Sequence, residues 1–512
     1  MNFITREMPI GTQRILNIVG CIGVVCVNTM INFFLSPYIV EHLGVEINGY
    51  ITLANNFVSY FTMITNALNS MAGRFMLVEL RRGNTKKASE YYTSVLVGDW
   101  ILSAVLLIPS IVLIVNLDRF IQIGTTDVTD VKILFSILFF NFFFSLCIPK
   151  WSNATYSTNR LYLRSIKTAI TAIARALTIY VAYRFFTPYA FYVAIAGTVM
   201  TFLNTGIEYV FHKQLLRNVK FKWKYYDKKK IITLISSGIW NTINQCGNLL
   251  LEGIDILIAN IFINPVAAGI LSVAKVIPNM LNQITGNVAT TFGPLVTYLF
   301  ADGKMNDLKN ETKRDIKLVA LIANIPIGIT ITLGTYFFQL WIPSQDSKML
   351  TVISTLTLFG ILISGCGNCI NNIFVAVNKL RFNSLVTIFT GIINIFIVYI
   401  LLSTTDLGVY AIAGTSSCIA YLRILGFSAP YAAKCIGQKW HSFYLTLLIS
   451  CLNVLIPISC GFIVSSIVKI DSWASFIIAV LVVCILTVVI DYCFWLNKSE
   501  KNEVKKIIRR EK

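Results

Sequence analysis

The chain contains a long series of apolar runs, and each run is long enough to cross a lipid bilayer as a helix. About 20 apolar residues in α-helical form span the hydrocarbon core. Only 13% of the 512 residues are charged, which is too few for the surface of a soluble protein of this size. The sequence therefore predicts an all-α polytopic membrane protein with about fourteen transmembrane helices. The predicted spans are approximately 15–37, 47–72, 93–116, 131–149, 165–185, 188–211, 232–258, 266–300, 318–341, 350–373, 383–403, 408–432, 442–468 and 473–496.

Lys and Arg residues are distributed unevenly between the loops on the two sides of this predicted topology. With the N-terminus in the cytoplasm, 35 of the 43 Lys and Arg residues fall on the cytoplasmic side and five in the outer loops. This asymmetry agrees with the positive-inside rule and predicts that both termini are cytoplasmic. It also explains the net charge of +19, so nucleic-acid binding is not expected. The basic and aromatic loop 212–230 is expected to lie on anionic lipid headgroups.

The two halves of the chain are weakly similar to each other. A shift of 220 residues aligns 26–83 with 246–303 without a gap and gives eight identities in 58 positions. Internal repeats are typical of transporter folds, with the substrate path between the repeats. We therefore predict two six-helix lobes, 1–220 and 221–436, followed by helices 13 and 14 and a basic tail, 437–512. The identities are Cys26/Cys246, Asn28/Asn248, Gly49/Gly269, Ala54/Ala274, Ile64/Ile284, Thr65/Thr285, Gly73/Gly293 and Gly83/Gly303.

Polar residues recur at helical spacing within four of the predicted spans, two from each half. Residues spaced three and four apart lie on one face of a helix. Four polar faces in matching register predict a shared water-filled cavity, although hydrogen bonding between helices is the alternative. The stripes are Asn17, Cys21, Asn28 and Asn32 in span one; Thr52, Asn55, Ser59, Thr62 and Asn66 in span two; Asn241, Gln245, Asn248, Glu252 and Asp255 in span seven; and Ser272, Lys275, Asn279, Asn282 and Gly286 in span eight.

Five of the charged residues inside the predicted spans are candidates for function. An Arg, Lys or Asp at the centre of a bilayer costs about 2.5–3.5 kcal/mol on insertion scales, so such residues face a cavity or a partner. Lys275 could attract a phosphate, or it could form a structural ion pair with Asp255 or Glu252. These two acids could also bind a coupling proton or Na⁺. Arg175 and Arg423 could reach the cavity or hold neighbouring helices together.

Sequence signatures of catalysis are absent from the chain. It contains no GxSxG, no HExxH and no phosphate-binding loop, so enzymatic activity and direct ATP-driven transport are not expected. Cys366 and Cys369 form a CxxC within an apolar span without a second pair, which favours thiols that face neighbouring helices over a metal or redox site. No cofactor and no metal are predicted.

Several segments resemble a known family of membrane proteins. YIVEHLGVEINGYITLANNF (38–57) resembles the stretch between the first two helices of the polysaccharide (O-antigen or capsule) flippases, within the multidrug/oligosaccharidyl-lipid/polysaccharide exporter superfamily. IDILIANIFINPVAAGILSVAKVIPN (254–279) resembles their stretch after helix seven, and it includes Lys275. RRGNTKK (81–87) and ADGKMND (301–307) stand where that family has glycine-containing cytoplasmic turns.

The resemblance implies translocation of undecaprenyl-pyrophosphate-linked oligosaccharides across the bacterial inner membrane, by alternating access of two lobes around a cationic cavity. Its implied partners are lipid-linked oligosaccharide, membrane lipids, a coupling H⁺ or Na⁺, and polysaccharide polymerase machinery. Amide side chains suit sugar hydroxyls because they both donate and accept hydrogen bonds. The cavity predicted here is richer in amides than in cations, unlike that of the family. The candidate substrate-binding residues are Lys275, Asn28, Asn55, Asn248, Asn279, Asn282, Arg175 and Arg423.

Two other functions compete with a flippase. An ion-coupled multidrug or cation antiporter of the same fold would be expected to carry acidic residues in its N-terminal cavity, and span one has none. A membrane polysaccharide polymerase would need a sizeable outer loop, and all the predicted outer loops are short. The flippase is therefore the first hypothesis, the antiporter the second and the polymerase the third.

Overall fold

The computed structural model describes residues 10–124, 126–149, 151, 154–155, 158, 160–377 and 379–495. Within these ranges the chain is helical and contains no β-strand. The predicted all-α membrane fold is therefore confirmed. Breaks divide four of the long helices, whose parts are labelled a and b. The helices are α1 (Ile10–Leu43), α2 (Val45–Arg81), α3 (Thr85–Val115), α4 (Val128–Cys147), α5 (Leu161–Phe185), α6 (Phe191–Leu215), α7a (Lys228–Asn248), α7b (Asp255–Phe262), α8a (Pro265–Ala274), α8b (Val276–Ala301), α9 (Met305–Trp341), α10 (Ser347–Ala376), α11 (Leu380–Thr404), α12a (Val409–Arg423), α12b (Ala429–Cys435), α13a (Tyr444–Leu452), α13b (Leu455–Ile467) and α14 (Trp473–Ile490).

Each of the fourteen predicted spans coincides with one helix or with one broken helix. Among the described residues, ten helices are long and apolar enough to cross a membrane. The number rises to eleven if α7a and α7b, which are bent by 42°, form a single span. The remaining predicted spans are helical as well, so the predicted number is roughly consistent with the structure.

The broken helices depart from regular α-helix at short, defined places. A π-helical turn, Leu249–Gly253, separates α7a from α7b, and another, Ile424–Ser428, separates α12a from α12b. The eighth predicted span, which is too long for one straight crossing, is interrupted at Lys275. Interrupted membrane helices require other groups to satisfy the freed backbone, and they often mark functional sites.

The turn after α2 recurs after α8b, 220 residues later. Gly83 and Gly303 both have φ of 73°, a left-handed conformation that glycine adopts without a Cβ penalty. The identical local structure supports the internal repeat detected in the sequence. The hydrogen bonds are Gly83 N to Leu80 O (3.0 Å), Asn84 N to Glu79 O (2.9 Å) and Thr85 N to Gly83 O (3.2 Å), then Gly303 N to Phe300 O (3.0 Å), Lys304 N to Leu299 O (3.0 Å) and Met305 N to Gly303 O (3.0 Å).

The chain forms two compact units. Unit 1 comprises Met1–Val273 with Thr387–Ile395, and unit 2 comprises Ala274–Val386 with Phe396–Lys512. Each unit has its own buried apolar clusters. The division into lobes 1–220 and 221–436 with a trailing segment stays a prediction.

In unit 2, helices α13 and α14 pack firmly on α9. Leu333 of α9 shares a buried apolar cluster with residues of α13b and α14, and a Cβ on Gly328 would lie 2.7 Å from Pro457. The contact also contains a buried polar chain. Asn324 Nδ2 donates to Asn453 Oδ1 at 2.7 Å, and Asn453 Nδ2 donates to Asp491 Oδ1 at 2.7 Å. This chain ties the last two helices to the rest of unit 2.

Candidate functional site

A polar cavity of about 580 Å³ lies within unit 1. Helices α2, α4, α5 and α6 contribute its lining residues. Its volume is in the range typical of small-molecule sites. The lining residues are Asn55, Val58, Thr62, Thr65, Asn66, Asn69, Ala72, Leu138, Asn141, Phe142, Ser145, Leu146, Arg175, Val193, Gly197, Met200 and Thr201.

Three residues of the predicted polar stripe of α2, Asn55, Thr62 and Asn66, line this cavity. The side chains of the stripe are largely satisfied by their own helix. Asn55 Nδ2 donates to Ile51 O at 2.7 Å, and Thr62 Oγ1 donates to Val58 O at 2.8 Å. These local bonds leave the side-chain amide oxygen of Asn55 with lone pairs for a ligand. The stripe can therefore line a cavity inside a membrane at little cost in unmet hydrogen bonds.

Arg175 of α5 is the one formally charged side chain among the described lining residues. It makes no ion pair with an acidic side chain that the structure describes. One turn below it on α5, Thr171 Oγ1 donates to Asn204 Oδ1 of α6 at 3.4 Å. A further turn below, the largely buried Lys167 pairs with Glu208. The α5–α6 contact is thus polar along three turns, and its charge is balanced at Lys167 but not at Arg175.

A buried carboxylate lies directly behind the cavity wall. Asn69 of α2 donates from Nδ2 to Asp99 Oδ1 of α3 at 2.7 Å, and Asp99 has no exposed surface. The same Asn69 amide donates to Thr65 O at 3.2 Å. From the sequence, Asp99 lies close enough to a span end for an unremarkable interfacial role. The structure instead places it one hydrogen bond away from the cavity.

At one end of unit 1, equivalent positions of the repeat touch each other. A Cβ on Gly49 of α2 would lie 2.8 Å from the backbone N of Gly269 in α8a, and a Cβ on Gly269 would lie 2.2 Å from Val45 O. Beside this crossing, Asn48 Nδ2 donates to Ser272 Oγ at 2.8 Å. Glycine at both positions allows the two backbones to approach this closely. The repeat seen in the sequence is therefore also a contact in space.

The break in α7 is satisfied by polar side chains of unit 1. Gly253 O accepts from Tyr60 Oη at 3.0 Å, and Leu251 O accepts from Asn394 Nδ2 at 3.2 Å. These bonds provide the partners that an interrupted helix loses in a membrane. The π-helical turn is thus held in place from two sides.

The structure brings only two of the predicted binding residues, Asn55 and Arg175, into the cavity. Asn28 is half-buried on α1, and Asn248 is exposed at the end of α7a. Asp255 is buried at the start of α7b. Of the other predicted residues in these stripes, the side chains of Asn17, Cys21, Asn241 and Glu252 lie outside the described residues.

The remaining predicted residues belong to unit 2, and none of them lines this cavity. Lys275 is buried at the break between α8a and α8b. Asn279 is exposed, and Asn282 is half-buried on α8b. Arg423 is half-buried and ends α12a, directly before the π-helical turn. Their predicted roles, and the ion-coupling role of Asp255 and Glu252, stay predictions.

Several cavity residues were not anticipated from the sequence. Asn69 continues the α2 stripe, since it follows Asn66 by three residues, so extending the helical period would have found it. Asn141 is a lone amide in the aromatic run FFNFFF of α4, and a single polar residue in such a run is a recognisable signal. Ser145 and Thr201 carry no comparable signal.

Among the residues that the structure describes, no cluster of three or more His, Cys, Asp or Glu side chains could hold a metal ion. Cys366 and Cys369 are buried in an apolar cluster of unit 2 formed by α9, α10 and neighbouring helices.

Comparison with known proteins finds a relative that spans nearly the whole chain. No protein-family model matches the chain. It is 26% identical to the uncharacterized membrane protein EpsK of Bacillus subtilis (strain 168) over 485 residues, which cover 95% of this chain and 96% of that protein.

Solved structures match over nearly the whole chain. The lipid II flippase MurJ, in an inward closed conformation, superposes with a TM-score of 0.69 at 14% identity over 94% of this chain and 99% of MurJ. An inward-facing multidrug resistance MATE transporter of the MOP superfamily superposes with a TM-score of 0.62 at 11% identity, over 86% of this chain and 96% of that transporter. The MATE multidrug transporter DinF-BH in complex with R6G superposes with a TM-score of 0.57 at 14% identity, over 83% of this chain and 96% of DinF-BH. The chain therefore has the fold of the MurJ and MATE membrane transporters.

Proposed function

We propose that this protein is a flippase for lipid-linked oligosaccharides, with an undecaprenyl-pyrophosphate-linked repeat unit as its cargo. The observation that carries the proposal is Arg175, which lines a cavity otherwise composed of amide, hydroxyl and apolar side chains and lacks an acidic partner among the described residues. An unpaired cation in a membrane cavity is costly, and a bound anion would offset that cost.

The chemistry of the cavity suits a phosphorylated sugar. A guanidinium group can donate two parallel hydrogen bonds to a phosphate. Asn55, Asn66 and Asn141 lie on the facing helices, and amides can both donate to and accept from sugar hydroxyls. The MurJ fold lends further support, since that protein is described as a lipid II flippase. Cargo movement would follow from alternating access of the two predicted lobes.

Lys275 remains the second candidate for binding the pyrophosphate of the proposed cargo. It is buried at a helix break, and broken helices line substrate sites in many transporters. Replacing Lys275 with Ala should impair glycan export without lowering the protein level. Normal glycan display in that variant would remove Lys275 from the site.

A cation or drug antiporter is the second candidate function. It is favoured by Asp99, a buried carboxylate one hydrogen bond behind the cavity wall. The charge in the cavity itself is positive, however, and a positive lining repels a cationic drug at short range. Asp99 therefore supports the antiporter as a candidate, but the positive charge in the cavity ranks it below the flippase.

The experiment is complementation of a deletion strain, with mass spectrometry of its undecaprenyl-linked sugars. Arg175→Gln should accumulate one lipid-linked oligosaccharide at an unchanged protein level, and Arg175→Lys should restore part of the export. Arg184→Gln is the matched control, because Arg184 is an exposed arginine on the same helix. If Arg175→Gln exports glycan as well as the control does, the assigned site is wrong. If the deletion strain accumulates no lipid-linked sugar but becomes sensitive to cationic dyes, the antiporter replaces the flippase.

A further inference from the structure

The segment between α6 and α7a is held against α3 as a strap, defined here as residues 216–227. Three backbone N–H groups of the strap donate to three hydroxyls of α3: Lys220 N to Ser89 Oγ at 3.4 Å, Lys222 N to Thr93 Oγ1 at 3.4 Å and Asp227 N to Ser94 Oγ at 3.0 Å. All three hydroxyl residues are buried, with at most 2% of their surface exposed. The strap is therefore fixed at three points along α3.

One side of the strap is buried in unit 1. Leu216 and Val219 belong to an apolar cluster with Met76 and Tyr92 of the neighbouring helices. Val219 retains only 1% of its exposed surface. Because these side chains point inward, the neighbouring basic residues are directed outward.

The other side of the strap is basic and solvent-exposed. Six exposed basic residues lie in or directly after it, and Asp227 is used as the N-cap of α7a, where it accepts from Lys229 N at 2.9 Å. Lys230 is turned away from this surface, since it pairs with Glu90 at 2.9 Å and lies 4.3 Å from the ring centre of Tyr91. The six exposed residues are Arg217, Lys220, Lys222, Lys224, Lys228 and Lys229.

An aromatic group lies within this basic surface. Trp223 is 65% exposed, although its ring is 5.6 Å from Trp100 and 5.4 Å from Phe221 between ring centres. Trp100 in turn donates from Nε1 to Cys147 O at 2.9 Å. Tryptophan that is partly packed and partly exposed is typical of the boundary between lipid tails and headgroups.

We propose that the strap is a binding surface for the headgroups of anionic phospholipids. Its exposed lysines complement phosphodiester and glycerol-phosphate charges, and the exposed Trp223 lies among them. Basic residues next to a membrane attract anionic lipids additively, and the three hydroxyl bonds hold the backbone that carries these lysines against α3. The surface is separate from the cavity residues and does not depend on the identity of the cargo.

The experiment uses the purified full-length protein in detergent, with phosphatidylglycerol and phosphatidylcholine as the probes. The melting temperature is measured against lipid concentration for the wild type and for Lys220→Gln/Lys222→Gln/Lys224→Gln. The matched control is Lys304→Gln/Lys434→Gln/Lys439→Gln, which removes the same charge from three exposed lysines of unit 2. We expect the strap variant to need about a hundred times more phosphatidylglycerol for the same shift, and the control to match the wild type.

Two further measurements complete the test. If the strap variant and the wild type have equal melting temperatures in phosphatidylcholine, the variant is folded. Soluble glycerol phosphate should not change the melting temperature of any of the proteins. Quenching of tryptophan fluorescence by brominated phosphatidylglycerol should fall in Trp223→Phe relative to the wild type. If the strap variant and the wild type respond equally to phosphatidylglycerol, the proposal is overturned, and a soluble acidic partner becomes the better explanation of the surface.

Discussion

The crossing of α2 and α8a at Gly49 and Gly269 can be tested by adding a single methyl group. In Gly269→Ala the new Cβ would lie 2.2 Å from Val45 O and 2.7 Å from Val45 C. Ordinary contact begins at 3.4 Å, so the two backbones would have to separate by about 1.2 Å. No side chain can rotate away, because the atoms in the way belong to the backbone.

The expected cost follows from this geometry. Overpacking of a well-packed site usually costs about 1–3 kcal/mol, and a clash with rigid backbone places this variant at the upper end. A loss of about 3 kcal/mol changes the equilibrium constant about 150-fold. The nearby hydrogen bond from Asn48 to Ser272 would lengthen as the helices separate, which adds to the loss.

The assay is thermal inactivation of the detergent-purified protein, followed by size-exclusion chromatography. Gly206→Ala is the control, because a Cβ at Gly206 of α6 meets no atom within 4 Å. The control should melt at or slightly above the wild-type temperature, since alanine is the better helix former by up to about 1 kcal/mol. Equal melting of Gly269→Ala and Gly206→Ala would refute the close crossing of the two repeats.

Three further predictions follow from other contacts. The hydrogen bond from Asn66 to Gln245, at 2.6 Å, should show a coupling energy of about 0.6–1.7 kcal/mol in a double-mutant cycle of alanine variants, and a coupling of zero would mean that α2 and α7a do not meet there. Asn453→Ala should lower the free energy of unfolding of unit 2 by about 1–3 kcal/mol, because it removes the partner of both Asn324 and Asp491; Asn453→Gln would be expected to lose less, and no loss in either variant would contradict the buried chain. A fluorescent protein fused to the C-terminus should fluoresce in cells, as the excess of cytoplasmic Lys and Arg predicts, whereas a dark fusion at normal expression would place that terminus outside.

The sequence predicted those parts of the fold that depend on local pattern. All fourteen predicted spans are helical in the structure, because apolar length and helical period are properties of each segment alone. The weak repeat was equally informative, since Gly83 and Gly303 adopt the same turn. The break at Lys275 was anticipated only as a span too long to cross once.

The candidate site could be predicted only in part. Asn55, Thr62 and Asn66 of the α2 stripe line the cavity, as does Arg175. A helical period shows which side chains share a face, but it does not show which helix lies opposite that face. Asn141 of α4 and Thr201 of α6 complete the wall, and nothing in the register of the repeat assigned those helices to it.

The sequence by itself determined that this chain is a multi-helix membrane protein built from a repeat, because apolar length and helical period are encoded residue by residue. Tertiary structure alone decided which polar faces meet. A Cβ on Gly238 would lie 2.1 Å from Ala67 O, so the close approach of α7a to α2 at this point requires glycine. Contacts of this kind bring together residues far apart in the chain, and they depend on the fit of whole surfaces. That fit forms a cavity lined by Arg175 within unit 1 and places Asp99 one hydrogen bond behind its wall.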